Sequence, residues 1–171
     1  MSPQRELEAS DTGHRPGAGY VIRPACARDD EAVRRELGAY LDHIDAAFDG
    51  DDLDHDVAEW SREYDGVAGV LLVVEDPAGQ VIGTGGVRRL DAELGELKRM
   101  WVRPDRQGLG LGRRLLAHCL DEARRLGIRR LRLDTQRRME AALALYRRHG
   151  FREISDYNGN PRAEIWMEAT L

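Results

Sequence analysis

Val102-Arg103-Pro104-Asp105-Arg106-Gln107-Gly108-Leu109-Gly110-Leu111-Gly112-Arg113-Arg114 reads as the end of a strand, a glycine-rich turn and the first turn of a helix. Glu96 to Val102 ahead of the turn is strand-like. Behind it, Leu111, Leu115, Leu116, Cys119, Leu120, Ala123 and Leu126 recur at helical spacing, and Gly127 follows where a helix-ending glycine belongs. A strand that passes through glycines into a helix leaves unpaired N–H groups at the positive end of the helix dipole. That is an anion site suited to a pyrophosphate. Glycine lets the backbone approach the phosphates and supplies φ > 0 where the turn needs it. The spacing G-x-G-x-G is neither the dinucleotide fingerprint, since position 113 is Arg, nor a P-loop, since no Gly-Lys-Ser/Thr follows.

A second block, Ala142-Leu143-Ala144-Leu145-Tyr146-Arg147-Arg148-His149-Gly150-Phe151, lies further along. With it the chain resembles the GNAT superfamily of acyl-CoA-dependent N-acetyltransferases. Arg106 to Gly112 is similar to the family's Arg/Gln-x-x-Gly-x-Gly/Ala loop, the second block to its A-x-x-L-Y-x-x-x-G-F helix, and Glu96 to Pro104 to the central strand that precedes the loop. These motifs cover about residues 94–155, and the order of elements extends the likeness to 20–171.

The 171 residues fit one domain with a sizeable core, and 33% charged and 42% hydrophobic content are ordinary for a globular chain. No apolar run approaches the ~20 residues of a membrane span. Residues 1–19 are polar and lack the apolar core of a signal peptide, so they read as a disordered or loosely attached leader ahead of a single domain over 20–171. Cys26 and Cys119 form no disulfide framework and suit a reducing, cytoplasmic setting. The net charge of −5 is unevenly spread. Residues 98–152 carry 16 Lys/Arg against 5 Asp/Glu, leaving 10 of the 26 basic and 26 of the 31 acidic residues elsewhere. The basic block coincides with the phosphate turn, where it would favour coenzyme A. An acidic chain with 6% aromatic residues does not suit nucleic acid.

In order, Tyr20–Arg23 reads as a strand. A helix beginning at Asp29 or Asp30 carries Val33, Leu37, Tyr40, Leu41, Ile44 and Phe48. The acidic run from Asp49 to Asp56 reads as a solvated loop and helix cap, or else as an acidic wall that attracts a cationic amine. A calcium loop over Asp52, Asp54, Asp56 and Glu63 fails at Val57, where glycine is needed, so no metal is expected. Val70–Glu75 and Gln80–Arg89 form a hairpin, with Gly83, Gly85 and Gly86 marking a bulge or a close approach. Strands at Leu131–Asp134, Phe151–Ile154 and Ala163–Ala169 and a helix at Met139–His149 complete the order β-α-α-β-β-β-α-β-α-β-β. The class is α/β (α+β): a mostly antiparallel, twisted, mixed sheet of about seven strands flanked by about four helices, as in GNAT proteins.

The resemblance implies acetyl-CoA as the acetyl donor. It places the donor on the amides of Gln107, Gly108, Leu109, Gly110, Leu111 and Gly112 with Arg113 beside them, and Arg106 adds a charge-assisted contact. The pantetheine arm would lie along Met100, Trp101 and Val102, with the Val102 N–H serving the oxyanion. Met139 stands where many relatives hold the cofactor with Asn. Tyr146 matches the family's general acid, and its phenol, with an ordinary pKa of ~10, is protonated at neutral pH. Glu96 is the expected base, because on a regular strand it projects to one face with Met100 and Val102. Asp134, Tyr157 and His43 are weaker alternatives. The acceptor is expected to be a primary amine of a small molecule, with a protein N-terminus or lysine as an alternative. A non-catalytic acyl-CoA-binding module competes with the enzyme reading, and a homodimer is one possible assembly.

Overall fold

A computed structural model describes residues 19–50 and 52–171. The leader expected over 1–19 lies, apart from Gly19, outside the described residues. The elements are β1 (Val21–Pro24), α1 (Asp30–His43), the single turns α2 (His55–Ala58) and α3 (Trp60–Glu63), β2 (Gly69–Glu75), β3 (Val81–Arg89), β4 (Leu94–Val102), α4 (Leu111–Arg125), β5 (Arg130–Thr135), α5 (Glu140–Arg148), β6 (Arg152–Ile154) and β7 (Ile165–Thr170). The seven strands form one sheet in the order β1-β2-β3-β4-β5-β7-β6. Every pairing is antiparallel except β4 with β5.

Helices cover both faces. Leu115, Leu116, Cys119 and Ala123 of α4 are fully buried in a cluster with Leu97, Leu131, Leu133 and Met167 of the sheet. On the other face Val33 and Leu37 of α1 pack with Leu71 and Val73 of β2 and with Trp60 and Tyr64. The central strands are buried on both faces, and β2 accordingly reads as an uninterrupted apolar run, Val70-Leu71-Leu72-Val73-Val74.

The helix ends explain much of the geometry. After α4, Gly127 takes φ +78, with Gly127 N–H to Arg124 C=O and Ile128 N–H to Ala123 C=O. This left-handed cap is the one expected at Gly127. The same pair of bonds closes α5 at Gly150, and Phe151 folds back onto Tyr146 with ring centroids 5.7 Å apart. An apolar contact across the cap often accompanies this geometry, and here it sets Phe151 against the tyrosine ring. One helix ends earlier than its spacing predicts. α1 stops at His43 because Asp45 adopts φ +52 and the Ala46 N–H returns to the Leu41 C=O, leaving Phe48 59% exposed.

Candidate active site

β4 and β5 pair only at Leu94–Arg130, Gly95–Leu131 and Glu96–Arg132. Beyond Glu96 they part, and a cavity of about 900 Å³ opens between them. Its wall takes in β4 from Glu96 to Val102, the turn before α4, the end of β5 from Leu133, and α5 through Tyr146. Met100, Trp101, Val102, Arg106, Gln107, Gly108, Gly110, Leu111, Gly112, Glu96 and Tyr146 are therefore brought together; Leu109 and Arg113 are not on the wall. Leu109 instead packs against the core of the α4 face.

At one end the wall is main chain. Among the described residues, no acceptor takes the N–H of Gly108, Leu109, Gly110, Leu111, Gly112 or Arg113; the first helical bond is from the Arg114 N–H to the Gly110 C=O, 3.1 Å. Gly108 and Gly110 have φ of +81 and +74, a region that L side chains avoid, and a Cβ on either would meet nothing within 4 Å. The glycines thus leave open space beside free amides at the positive end of a 15-residue helix. Such a cradle fits a diphosphate. Arg106 lines it, with its guanidinium on Asp105 at 2.9 Å.

The β4 edge continues this main-chain surface. The Arg103 N–H bonds the Ile82 C=O at 3.0 Å, in register with Gly83–Val102 and Thr84–Trp101. Antiparallel bonding alternates, so the N–H and C=O of Val102 turn away from β3 and into the gap. The C=O accepts from Gln107 Nε2 at 3.1 Å.

Tyr146 stands across the gap, 6% exposed. Its hydroxyl makes no hydrogen bond among the described residues, yet it is not sealed away from solvent: it opens on the cavity. Burial, with smaller contributions from nearby groups, raises its pKa above the ordinary tyrosine value, so the phenol stays protonated.

The face expected of Glu96 is corrected. A bulge in β4 sets Arg99 at φ +57, and the register with β3 shifts between Thr84 and Gly86. The bulge fits here because Gly85 is opposite. A Cβ at Gly85 would lie 3.0 Å from the sulfurs of Cys119 and Met100, while the Thr84 hydroxyl satisfies the Arg99 C=O at 2.9 Å. One extra residue reverses the alternation. Met100 packs toward α4 and Val102 joins its cluster, whereas Glu96 lies on the α1 side with Lys98 and Trp101. Glu96 is 3% exposed and already held: Arg88 Nη2 at 2.8 Å, Tyr157 hydroxyl at 2.8 Å, Asn158 Nδ2 at 3.4 Å and Lys98 Nζ at 3.9 Å.

The acidic run is corrected at two positions, while Asp52 is exposed as expected. Asp54 and Asp56 are 0% and 1% exposed, neither a solvated loop nor a free acidic wall. Asp54 takes both Arg162 Nη1 contacts at 3.0 Å and Arg99 Nη1 at 3.1 Å. Asp56 takes Arg99 Nε at 3.0 Å and the Tyr64 hydroxyl at 2.7 Å. Burial alone would raise the Asp56 pKa, but the Arg99 guanidinium and then Lys98 hold it well below the usual carboxylate range. The bulge residue thus clamps the loop before α2 onto β4, and Arg162 ties the β6–β7 loop to the same carboxylate. Tyr40 and His43 of α1 reach the cavity as well, both against Trp101 at 6.4 and 5.1 Å between ring centroids. Their i, i+3 spacing was the available signal, hidden inside an apolar helix face. Met139 is the cap residue before α5 and lines the cavity, and its side chain makes no capping bond.

The description of the acetyltransferase (GNAT) family fits residues 35–151. A protein named IAA acetyltransferase from Azospirillum brasilense is 36% identical over 106 residues, 60% of this chain and 69% of its own. The uncharacterized N-acetyltransferase YjgM of Escherichia coli is 35% identical over 78% of each chain. A GNAT-family acetyltransferase of Staphylococcus aureus Mu50 shares the fold with a TM-score of 0.79 at 20% identity, over 88% of this chain and 98% of its own.

Proposed function

Because this chain belongs to the acetyltransferase (GNAT) family, we propose that it moves an acetyl group from acetyl-CoA to a primary amine of a small molecule, by direct attack within a ternary complex. One observation carries the reading: a cavity joins the amides before α4 to the hydroxyl of Tyr146, none of them bonded by a described residue, along a strand edge left open by the parting of β4 and β5.

Acetyl-CoA supplies an activated acyl carbon and a thiolate leaving group. The protein supplies the rest. The amides of Gly108 to Arg113 hold the diphosphate with fixed dipoles. The Val102 N–H, aimed into the gap, stabilises negative charge as it develops on the carbonyl oxygen. Tyr146 keeps its proton until the C–S bond breaks and passes it to sulfur, so the thiol leaves neutral. As the N–C bond forms, the amine loses one proton. Glu96, which also holds Arg88 and Lys98, takes it through water.

The test is a panel of polyamines, amino acids, aminoglycosides and peptides incubated with the protein and acetyl-CoA, followed by assay of free thiol. Amine-dependent thiol release is expected. Tight acetyl-CoA binding with no release from any amine would make the protein a binding module instead.

A further inference from the structure

Asp134 is the next-to-last residue of β5, two positions beyond Arg132, where the pairing with β4 stops, and it lines the acceptor end of the cavity. Its surroundings differ from those of Glu96 on the same wall and of Asp54 and Asp56, which are held by the wall residues Lys98, Arg99 and Arg162; the remaining wall carboxylate, Glu140, is exposed at the start of α5. Glu96 faces Arg88 and Lys98, Asp54 faces Arg99 and Arg162, and Asp56 faces Arg99 and Lys98. Asp134 makes no ion pair among the described residues. It is held by neutral amides: Asn158 Nδ2 at 2.6 Å and Asn160 Nδ2 at 3.2 Å, both on Oδ2. The Asn158 amide is itself oriented, because its Oδ1 accepts from Trp166 Nε1 at 2.9 Å. Amides fix a carboxylate's direction without cancelling its charge. No described residue donates to Oδ1.

The neighbouring cations do not compete for it. Arg162 spends its guanidinium on Asp54 and the Ala47 C=O, and Arg138 on Asp45, the His43 C=O and Gln136. Tyr146, nine-tenths buried and with a hydroxyl that no described residue bonds, faces the same space. Asp134 is close enough that its charge adds to the dominant effect of burial in raising the pKa of Tyr40, Tyr146 and Tyr157. A carboxylate left unneutralised among aromatic rings recognises a cation.

Resting on the acetyl-transfer reading, we propose that Asp134 is the ammonium site of the acceptor pocket, so that the acceptor is an alkyl amine bound in its protonated form rather than a weakly basic aryl amine or an alcohol; the bound ammonium first gives one proton to water in the open cavity, which frees the lone pair for attack, and the second leaves to Glu96 through water as the N–C bond forms. The attraction that Asp54 and Asp56 give up to Arg99 and Arg162 is supplied by this residue on β5.

Benzylamine and aniline test it, because the two have similar bodies and only the first is an ammonium at neutral pH. Their binding to the CoA-loaded protein is measured by calorimetry, alongside thiol release from acetyl-CoA. Benzylamine is expected to bind the natural protein more tightly than aniline. Asp134→Asn should weaken benzylamine roughly 10- to 100-fold, the value of a charge-assisted bond, and leave aniline and CoA affinity unchanged. Asp134→Glu should restore most of the benzylamine affinity. Equal benzylamine affinity in the natural protein and Asp134→Asn, or failure of benzylamine to bind the natural protein, overturns the proposal. Ammonium binding without thiol release from any amine would leave the site standing and defeat the transferase reading instead.

Discussion

The two ends of the cavity are built on opposite plans. The donor end is backbone from one continuous stretch: the Val102 edge, two glycines with positive φ and the first turn of α4. The acceptor end is side chains from distant stretches, the β4 residues Glu96 to Arg99, Asp134, and Asn160 and Arg162, held in place by the buried carboxylates of Asp54 and Asp56 and by Tyr157 and Asn158. At the first end, local conformation alone makes the site. At the second, nothing exists until the sheet has assembled, and its cost is the burial of charges that must all find partners. The two plans predict different sensitivities to mutation.

The largest effect is expected at the acceptor end, on stability. Asp54→Ala leaves Arg99 and Arg162 without their shared carboxylate and should cost about 3–5 kcal/mol in urea unfolding. A change within 1 kcal/mol would mean that water already screens the cluster. Asp56 adds an acid limb: its carboxyl is depressed in the folded state, so its stabilisation is complete above the unfolded pKa of about 3.9 and is lost as pH falls below it. Asp56→Asn should flatten that limb.

The donor end should respond in binding rather than stability. Gly110→Asp puts a strained side chain and a negative charge where the diphosphate is held, and acetyl-CoA affinity should fall more than roughly 100-fold. Retained affinity would break the contrast, since the turn would then not be the binding surface. Between the two ends, Tyr146→Phe should lower kcat by about 100-fold with little change in acetyl-CoA KM; an unchanged kcat would remove Tyr146 as the acid. The smallest effect is expected of Glu96→Gln, about tenfold in kcat, because its anion is already paired. A fall of about 1,000-fold would restore Glu96 as the dominant base.

The same contrast explains what the sequence disclosed. The Val102–Arg114 stretch and the Tyr146–Phe151 cap are local, so their residues could be read directly and the fold followed from them. The bulge at Arg99 could not be read, because the residue that takes positive φ is not glycine; the only trace was the run of glycines at 83, 85 and 86 on the neighbouring strand. The regular-strand assumption then put Glu96 on the wrong face. Asp54 and Asp56 looked solvated because their partners lie 43 residues away at Arg99 and 108 at Arg162. Asp134 was legible only as an alternative base at the end of a strand, since the two asparagines that hold it lie in the loop between β6 and β7.

The central claim is that main-chain amides after β4 grip the donor's diphosphate. The most direct measurement is a ¹H–¹⁵N spectrum of the labelled protein titrated with acetyl-CoA. The largest shifts and new exchange protection are expected at Gly108, Leu109, Gly110, Leu111, Gly112 and Arg113. Saturable binding that leaves those amides unmoved and exchanging freely would contradict it.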